Sequence, residues 1–304
     1  MINLERPPKL KKKPLFHLRN KHQGFYNFDR LTAKLPELSS FVSTNKTGNV
    51  TIDFADPIAV KLLNKALLFS QYPLVFWEIP ENYLCPPIPS RAEYIHQIAD
   101  LLSFKDPNPS FKNVNILDIG SGANCIYPIL GYLEYGWNFV GSEIDLTAFE
   151  AAKLNIEKNT ILKNSIELRI QEDHKNIFKG IIKKEDFFDC TICNPPFHGS
   201  MEEANAGTVR KLKNLKKKTE VILNFGGQNT ELWCKGGEIG FIVKMIIEST
   251  SFKNQCRWFT TLVSKKENLQ RIYKMLKKVE VTQLKTIPLL VGNKKSRIVA
   301  WTFK

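Results

Sequence analysis

Acidic residues are scarce: 30 Asp and Glu face 44 Lys and Arg across 304 residues, a formal charge of +14. That surplus favours a polyanionic partner, because each phosphate neutralised by a protein cation releases counterions. No apolar run approaches the roughly 18 residues a membrane span needs, and no apolar signal stretch follows the basic N-terminus. A cytoplasmic chain with no membrane partner is expected. Six cysteines (Cys85, Cys125, Cys190, Cys193, Cys234, Cys256) are scattered without framework spacing, which excludes a disulfide scaffold. Cys190 and Cys193 spell C-x-x-C, but they fall in the strand-like run Phe188–Cys193, where residues three apart point to opposite faces. Without a second pair, buried thiols rather than a metal site are expected. Internal repeats and long low-complexity tracts are also missing.

The positive charge is clustered. Arg6, Lys9, Lys11, Lys12, Lys13, Arg19 and Lys21 crowd the first residues, and Arg210, Lys211, Lys213, Lys216, Lys217 and Lys218 form a second group. Residues 1–25 read as a basic flexible arm. A solvated tail explains that cluster as well as nucleic-acid contact does. From residue 26 to 90 the text is mixed and proline-punctuated, with a helix over Ala59–Phe69 after Asp56-Pro57. A small N-terminal accessory domain is expected there.

Beyond Arg91 the pattern becomes regular. Tyr94, Ile95, Ile98, Leu101 and Leu102 recur at helical spacing. Strands follow at Val114–Ile119, Asn138–Glu143, Ile166–Ile170, Phe188–Cys193 and Trp258–Val263. Between and after them, helices are expected over Tyr127–Tyr135, Thr147–Asn159, Glu238–Ser249 and Glu267–Lys278. Val281–Pro288 and Arg297–Phe303 are joined too closely for a helical crossover and must pair antiparallel. Alternating strands and helices imply an α/β domain over 91–304, a mostly parallel sheet covered on both faces. Seven strands ending in an antiparallel hairpin resemble the class I methyltransferase fold, a Rossmann-like arrangement.

Two short segments about 70 residues apart carry the chemistry. The first, Asp118-Ile119-Gly120-Ser121-Gly122, closes the first strand of that sheet, where ligands of open α/β sheets bind. Gly120 and Gly122 let backbone approach a ligand without a Cβ clash. The third glycine of the dinucleotide fingerprint is missing, since Gly122 is followed by Ala123-Asn124-Cys125, which argues against pyrophosphate recognition. Asp118 is placed to orient the loop or meet the amino-acid part of a cofactor. At the end of the next strand, Glu143 is phased to accept both hydroxyls of a ribose, and Asp145 reads as a helix cap. A tight strand–helix turn without a ligand would explain the glycines alone, but not Glu143 as well.

The second segment is Asn194-Pro195-Pro196-Phe197, at the end of the fourth strand. An isolated N-P-P-F is ordinarily a turn. Beside a cofactor loop, it suits methyl transfer from S-adenosylmethionine to an amino nitrogen. A purine amine is a poor nucleophile because its lone pair is delocalised into the ring. The Asn194 side-chain oxygen and the Pro195 carbonyl can accept both N–H groups, returning electron density to nitrogen. Phe197 can stack on the base, an interaction of about 1–3 kcal/mol. His198 reads as an ordinary loop histidine.

These motifs resemble a known family. Leu117 through Pro128, Cys193 through His198, Leu223-Asn224-Phe225-Gly226-Gly227-Gln228 and Glu231-Leu232-Trp233-Cys234 are similar to the bacterial 23S rRNA adenine-N6 methyltransferases of RlmF type. The wider group includes eukaryotic enzymes that modify U6 small nuclear RNA. The resemblance runs from about His17 to the C-terminus, including Thr51 through Pro57 and Ala300-Trp301-Thr302-Phe303. It implies S-adenosylmethionine as cofactor, no metal, and 23S rRNA or a large-subunit assembly intermediate as partner, methylated at adenine 1618. It places Arg91, Gly120, Glu143 and Asn194 at cofactor-contacting positions, Arg91 on the cofactor carboxylate. It also places Pro195, Pro196 and Phe197 in the target-base motif, and Gln171–His174 near the cofactor adenine. A monomer is favoured. Three other readings stay open: a protein glutamine-N5 methyltransferase, a DNA adenine methyltransferase, and a non-catalytic RNA-binding assembly factor.

Overall fold

A computed structural model of the chain describes residues 16–103, 113–200, 229–291 and 294–304. The basic cluster at 210–218, the 223–228 motif and the arm residues before 16 lie outside them.

The chain enters through a segment for which the sequence predicts a single helix, over Ala59–Phe69. Helix α1 (Phe28–Lys34) leads through a 3-10 turn into a small antiparallel ribbon, β1 (Val42–Thr44) on β2 (Val50–Ile52). Helix α2 (Pro57–Gln71) contains the expected Ala59–Phe69 and extends two residues beyond it at each end. Asp56 Oδ1 accepts the Ile58 and Ala59 amides, and Pro57 occupies the first turn, where no amide bond is lost. Helix α3 (Ile88–Ser103) starts three residues before the expected Arg91.

Seven strands then form one sheet. They are β3 (Asn115–Ile119), β4 (Asn138–Glu143), β5 (Ile166–Ile170), β6 (Phe188–Cys193), β7 (Cys256–Val263), β8 (Gln283–Val291) and β9 (Lys294–Thr302). Their order is β5-β4-β3-β6-β7-β9-β8, parallel through β7 and antiparallel in the last two. β8 is an edge strand, which is why Pro288 can sit within it. The intervening helices are α4 (Ile126–Tyr135), α5 (Leu146–Glu157), α6 (Gly237–Ser249) and α7 (Leu269–Lys278). The expected sheet and its closing hairpin are what the structure contains.

Both faces are covered, so the central strands are buried almost throughout. On one face Ile116, Cys190 and Ile192 pack with α3 and α4 (Ile95, Ile98, Ile129, Leu130) and with N-terminal residues such as Leu31, Leu63, Leu68 and Trp77. On the other, Leu117, Cys193 and Phe259 pack under α6 and α7 through Ile242, Met245 and Ile272. Cys190 and Cys193 therefore lie on opposite faces, as their spacing predicts. The N-terminal residues join the same core as the sheet.

Two polar devices fasten this segment. Residues 74–79 run along α5 on a ladder of two buried asparagines one helical turn apart. Asn155 bonds the Glu78 amide and carbonyl at 2.8 and 2.7 Å, and Asn159 bonds the Val75 amide and Phe76 carbonyl at 2.9 and 2.7 Å. Residues 17–22, inside the expected arm, dock on α3. The His17 amide and the Asn20 side chain donate to Glu93 at 2.8 and 3.1 Å, and Arg19 pairs with Asp100. Burial holds the His96 and His22 imidazoles neutral, lowering them to about 3 and about 4.

Candidate active site

β3, β4 and β6 end level with one another at the point where strand order reverses. Ile119 is paired with Ser142 on one side and Cys193 on the other. Gly120, Glu143 and Asn194 therefore leave the sheet side by side, on strands about 4.8 Å apart.

The glycine turn is fixed by its neighbour strand. Gly120 and Gly122 have φ of 72° and 63°, a left-handed conformation that a Cβ would oppose. The Gly120 and Ser121 amides both donate to the Ser142 carbonyl, at 3.0 and 2.9 Å. Gly122 donates to Glu143 Oε2 at 2.8 Å, and Glu143 Oε1 accepts the Ile144 and Asp145 amides at 2.7 and 3.0 Å. Burial pushes the Glu143 carboxyl up, and these three amides pull it back. Gly141 must be glycine for the same construction, because a Cβ there would stand 2.4 Å from Ser121 Oγ. Asp145 caps α5 through the Ala148 amide at 2.7 Å and takes a second bond from the Tyr83 hydroxyl at 2.8 Å.

Asp118 is fully buried, and neither carboxylate oxygen has a hydrogen-bond partner of normal geometry among the described residues. Burial pushes its carboxyl up to about 8 and the Glu143 charge adds to this, while the Ser121 hydroxyl and Arg91 pull the other way. Arg91, from the first turn of α3, donates to the Tyr127 hydroxyl at 3.0 Å and lies 5.5 Å from the centre of that ring.

On the other side of β3, Asn194 Oδ1 is buried and unpartnered among the described residues. Its approach is set by Tyr94. The Tyr94 hydroxyl receives the Cys193 amide at 3.4 Å and bonds Thr260 Oγ1 at 2.8 Å, and Thr260 in turn donates to the Thr191 carbonyl at 2.7 Å. The Tyr94 ring meets Tyr127 edge-on at 5.3 Å, so one aromatic pair supports both Arg91 and the end of β6.

Pro195 is buried, while Pro196 and Phe197 are half-buried. The loop is held from outside the sheet. The Phe197 and His198 amides donate to the Leu232 carbonyl at 3.2 and 3.0 Å, and Cys234 donates to the His198 carbonyl at 3.1 Å. Gln171, at the end of β5, bonds the Glu143 carbonyl through its amide at 2.7 Å. Its side chain turns into its own loop, onto Lys179 and Asp173.

Tyr94 and Thr260 were not read from the sequence as parts of the site. Tyr94 reads there as one more apolar residue of a helical stripe. Its hydroxyl becomes informative only when β6 and β7 are known to flank it. No group of three or more His, Cys, Asp or Glu able to hold a metal occurs among the described residues.

A family profile described as RNA methyltransferase matches residues 10–304. The chain belongs to this RNA methyltransferase family. It is 49% identical over its whole length to ribosomal RNA large subunit methyltransferase F of Photobacterium profundum, covering 95% of that protein. Against the protein of the same name from Flavobacterium johnsoniae it is 55% identical, over 94% of this chain and 93% of the other. Among solved structures, the hMettl16 catalytic domain in complex with a MAT2A 3′UTR hairpin superposes with a TM-score of 0.81 at 29% identity, covering 96% of each chain. The N-terminal domain of human METTL16 in complex with SAH gives 0.77 at 28%, over 96% of this chain and all of the other. These neighbours share the class I methyltransferase architecture that this RNA methyltransferase displays.

Proposed function

We propose that this chain methylates the N6 amine of one adenine in large-subunit ribosomal RNA, adenine 1618 of 23S rRNA, using S-adenosylmethionine. The observation that carries it is a pair of buried acceptors on neighbouring strands beside the glycine turn, Asp118 and Asn194 Oδ1, that have no hydrogen-bond partner of normal geometry among the described residues. Such acceptors suit a ligand with an ammonium on one side and an amine on the other. When bound, S-adenosylmethionine supplies an electrophilic methyl on a sulfonium.

In this reading Arg91 receives the cofactor carboxylate, Asp118 its ammonium, and Glu143 its ribose hydroxyls along the Gly120–Gly122 turn. Asn194 Oδ1 and the Pro195 carbonyl accept the two N–H groups of the adenine amine, and Phe197 stacks on the base. Leaving the RNA stack costs the base a few kcal/mol, which that stacking offsets. The motif holds no titratable side chain. Positioning and electrostatic complementarity supply the rate; as the amine takes the methyl its nitrogen becomes cationic, and it gives up one of its own N–H protons to water. The basic arm (1–25) and the accessory segment (26–90) would contact RNA around the target, a ribosomal RNA or assembly intermediate met by a cytoplasmic monomer.

Unmodified large-subunit RNA incubated with the protein and labelled cofactor, then mapped by mass spectrometry, tests this. A single labelled adenine is expected. No label on any adenine, from folded protein with cofactor bound, removes the reading. Methyl transfer to a release-factor glutamine instead would establish the amide-methylating alternative.

A further inference from the structure

The segment Glu231–Cys234 touches both halves of the site. Glu231 Oε2 accepts the Leu84 amide at 3.0 Å, and its other oxygen stands 3.3 Å from where a Cβ on Gly122 would lie. Asn124 shares that space: its Nδ2 is 3.2 Å from the same point and donates to the Leu84 carbonyl at 3.3 Å. Gly122 is thus confined on two sides, by Glu143 at its amide and by Glu231 beside its Cα. The next residue, Leu232, gives its carbonyl to Phe197 and His198 together. Trp233 pairs with His198 as an isolated bridge, and Gly237 packs so closely that a Cβ on it would meet the Gly199 nitrogen at 3.2 Å. The carboxylate that abuts the glycine turn and the carbonyl that holds the Asn194–Phe197 loop belong to consecutive residues.

We propose that Glu231 is a positioning residue that couples occupancy of the glycine turn to binding of RNA at the Asn194–Phe197 loop. The inference rests on the methyltransferase reading given above. Anything that fixes Gly122 fixes the wall against which the Glu231 carboxylate lies. Glu231 in turn sets where the Leu232 carbonyl presents itself to the two amides. The loop that would hold the target base is then shaped by the cofactor side before the base arrives. Coupling of this kind is reciprocal: each ligand tightens the other by the same factor.

The test is binding, not turnover. Affinity for a fluorescein-labelled, unmodified large-subunit rRNA fragment is measured by anisotropy, with and without saturating S-adenosylhomocysteine. In parallel, calorimetry gives the affinity for S-adenosylhomocysteine alone. In the parent protein the ligand tightens RNA binding by about tenfold, within the usual range for coupled sites. Glu231→Ala reduces that factor to below about twofold, a loss of most of it. Affinity for RNA without ligand, and for ligand without RNA, should each change little.

Glu231→Gln, whose amide oxygen still accepts the Leu84 N–H, keeps most of the factor and serves if the alanine variant fails to fold. In that event Glu231→Asp, one methylene too short to span Leu84 and Gly122, is expected to lose the coupling. A tenfold factor surviving in the alanine or aspartate variant overturns the proposal. So does a large loss of ligand affinity with the factor intact, which would make Glu231 a direct cofactor ligand. A parent protein with no coupling also overturns it, while adenine methylation by that same preparation would leave the proposed function standing.

Discussion

Gly120, Ser121 and Gly122 take their amide bonds from Ser142 and Glu143, on the strand next door. Phe197 and His198 take theirs from Leu232, about 35 residues further along and outside the sheet. Both loops leave adjacent parallel strands at the same level. The cofactor half is therefore shaped by the sheet itself, whereas the target half depends on a segment that must be brought back to it. The difference extends to chemistry. The glycine side is ringed by ionisable groups (Asp118, Glu143, Arg91), and the Asn194–Phe197 motif carries none.

Removing the acceptor on the target side gives the largest expected effect. Asn194→Ala should lower the single-turnover methylation rate by about 10²–10³-fold, the usual cost of deleting one preorganised polar contact to the reacting centre. RNA affinity should stay within a few-fold, because phosphate contacts supply most of it. Comparable activity in the variant would show that the amide is not an essential acceptor. Phe197→Ala comes next. Loss of about 1–3 kcal/mol of stacking corresponds to roughly a 5- to 150-fold fall in kcat/KM. Phe197→Trp should restore much of it, and failure of any aromatic to rescue would assign the residue to packing.

How much of this was readable from the sequence follows the same division. Strands β4, β5 and β6 begin and end where hydrophobic runs and the flanking turns place them, and Gly120, Gly122 and Glu143 announce themselves by position after a strand. Those signals are local. What holds the target loop is not: nothing around Leu232 says that its carbonyl will meet Phe197. The N-terminal segment hid for a related reason. Asn155 and Asn159 read as ordinary polar residues late in a helix, yet both are buried because residues 74–79 cross above them. Only the helix after Asp56-Pro57 was legible there, since a helix start is marked by a few consecutive residues. Polar side chains that bond a distant backbone leave no periodicity to detect.

The smallest expected effect lies on the cofactor side, and it tests whether that half is preformed. Without ligand, Asp118 holds a proton up to about pH 8, although an ordinary aspartate ionises near 4. A cationic ammonium beside it favours the carboxylate, so binding must expel that proton. S-adenosylhomocysteine should then bind more tightly as pH rises from 6 to 8, by at most about tenfold per unit for one proton, and level off above about 8. Glu143 is shifted in the same direction, and Arg91 opposes the shift of Asp118, so Asp118→Asn should flatten the slope without erasing it. Stability of the ligand-free protein must run the opposite way. The folded state keeps a proton that the unfolded chain loses near pH 4, so Asp118 costs stability increasingly from pH 4 to 8. Asp118→Asn should therefore be the more stable protein at pH 8 in denaturant titrations, although it binds ligand less well. Calorimetry in two buffers of different ionisation enthalpy counts the released proton. If none is released at pH 7, Asp118 is already ionised before the ligand arrives, and the two halves of the site differ less than their hydrogen bonds suggest.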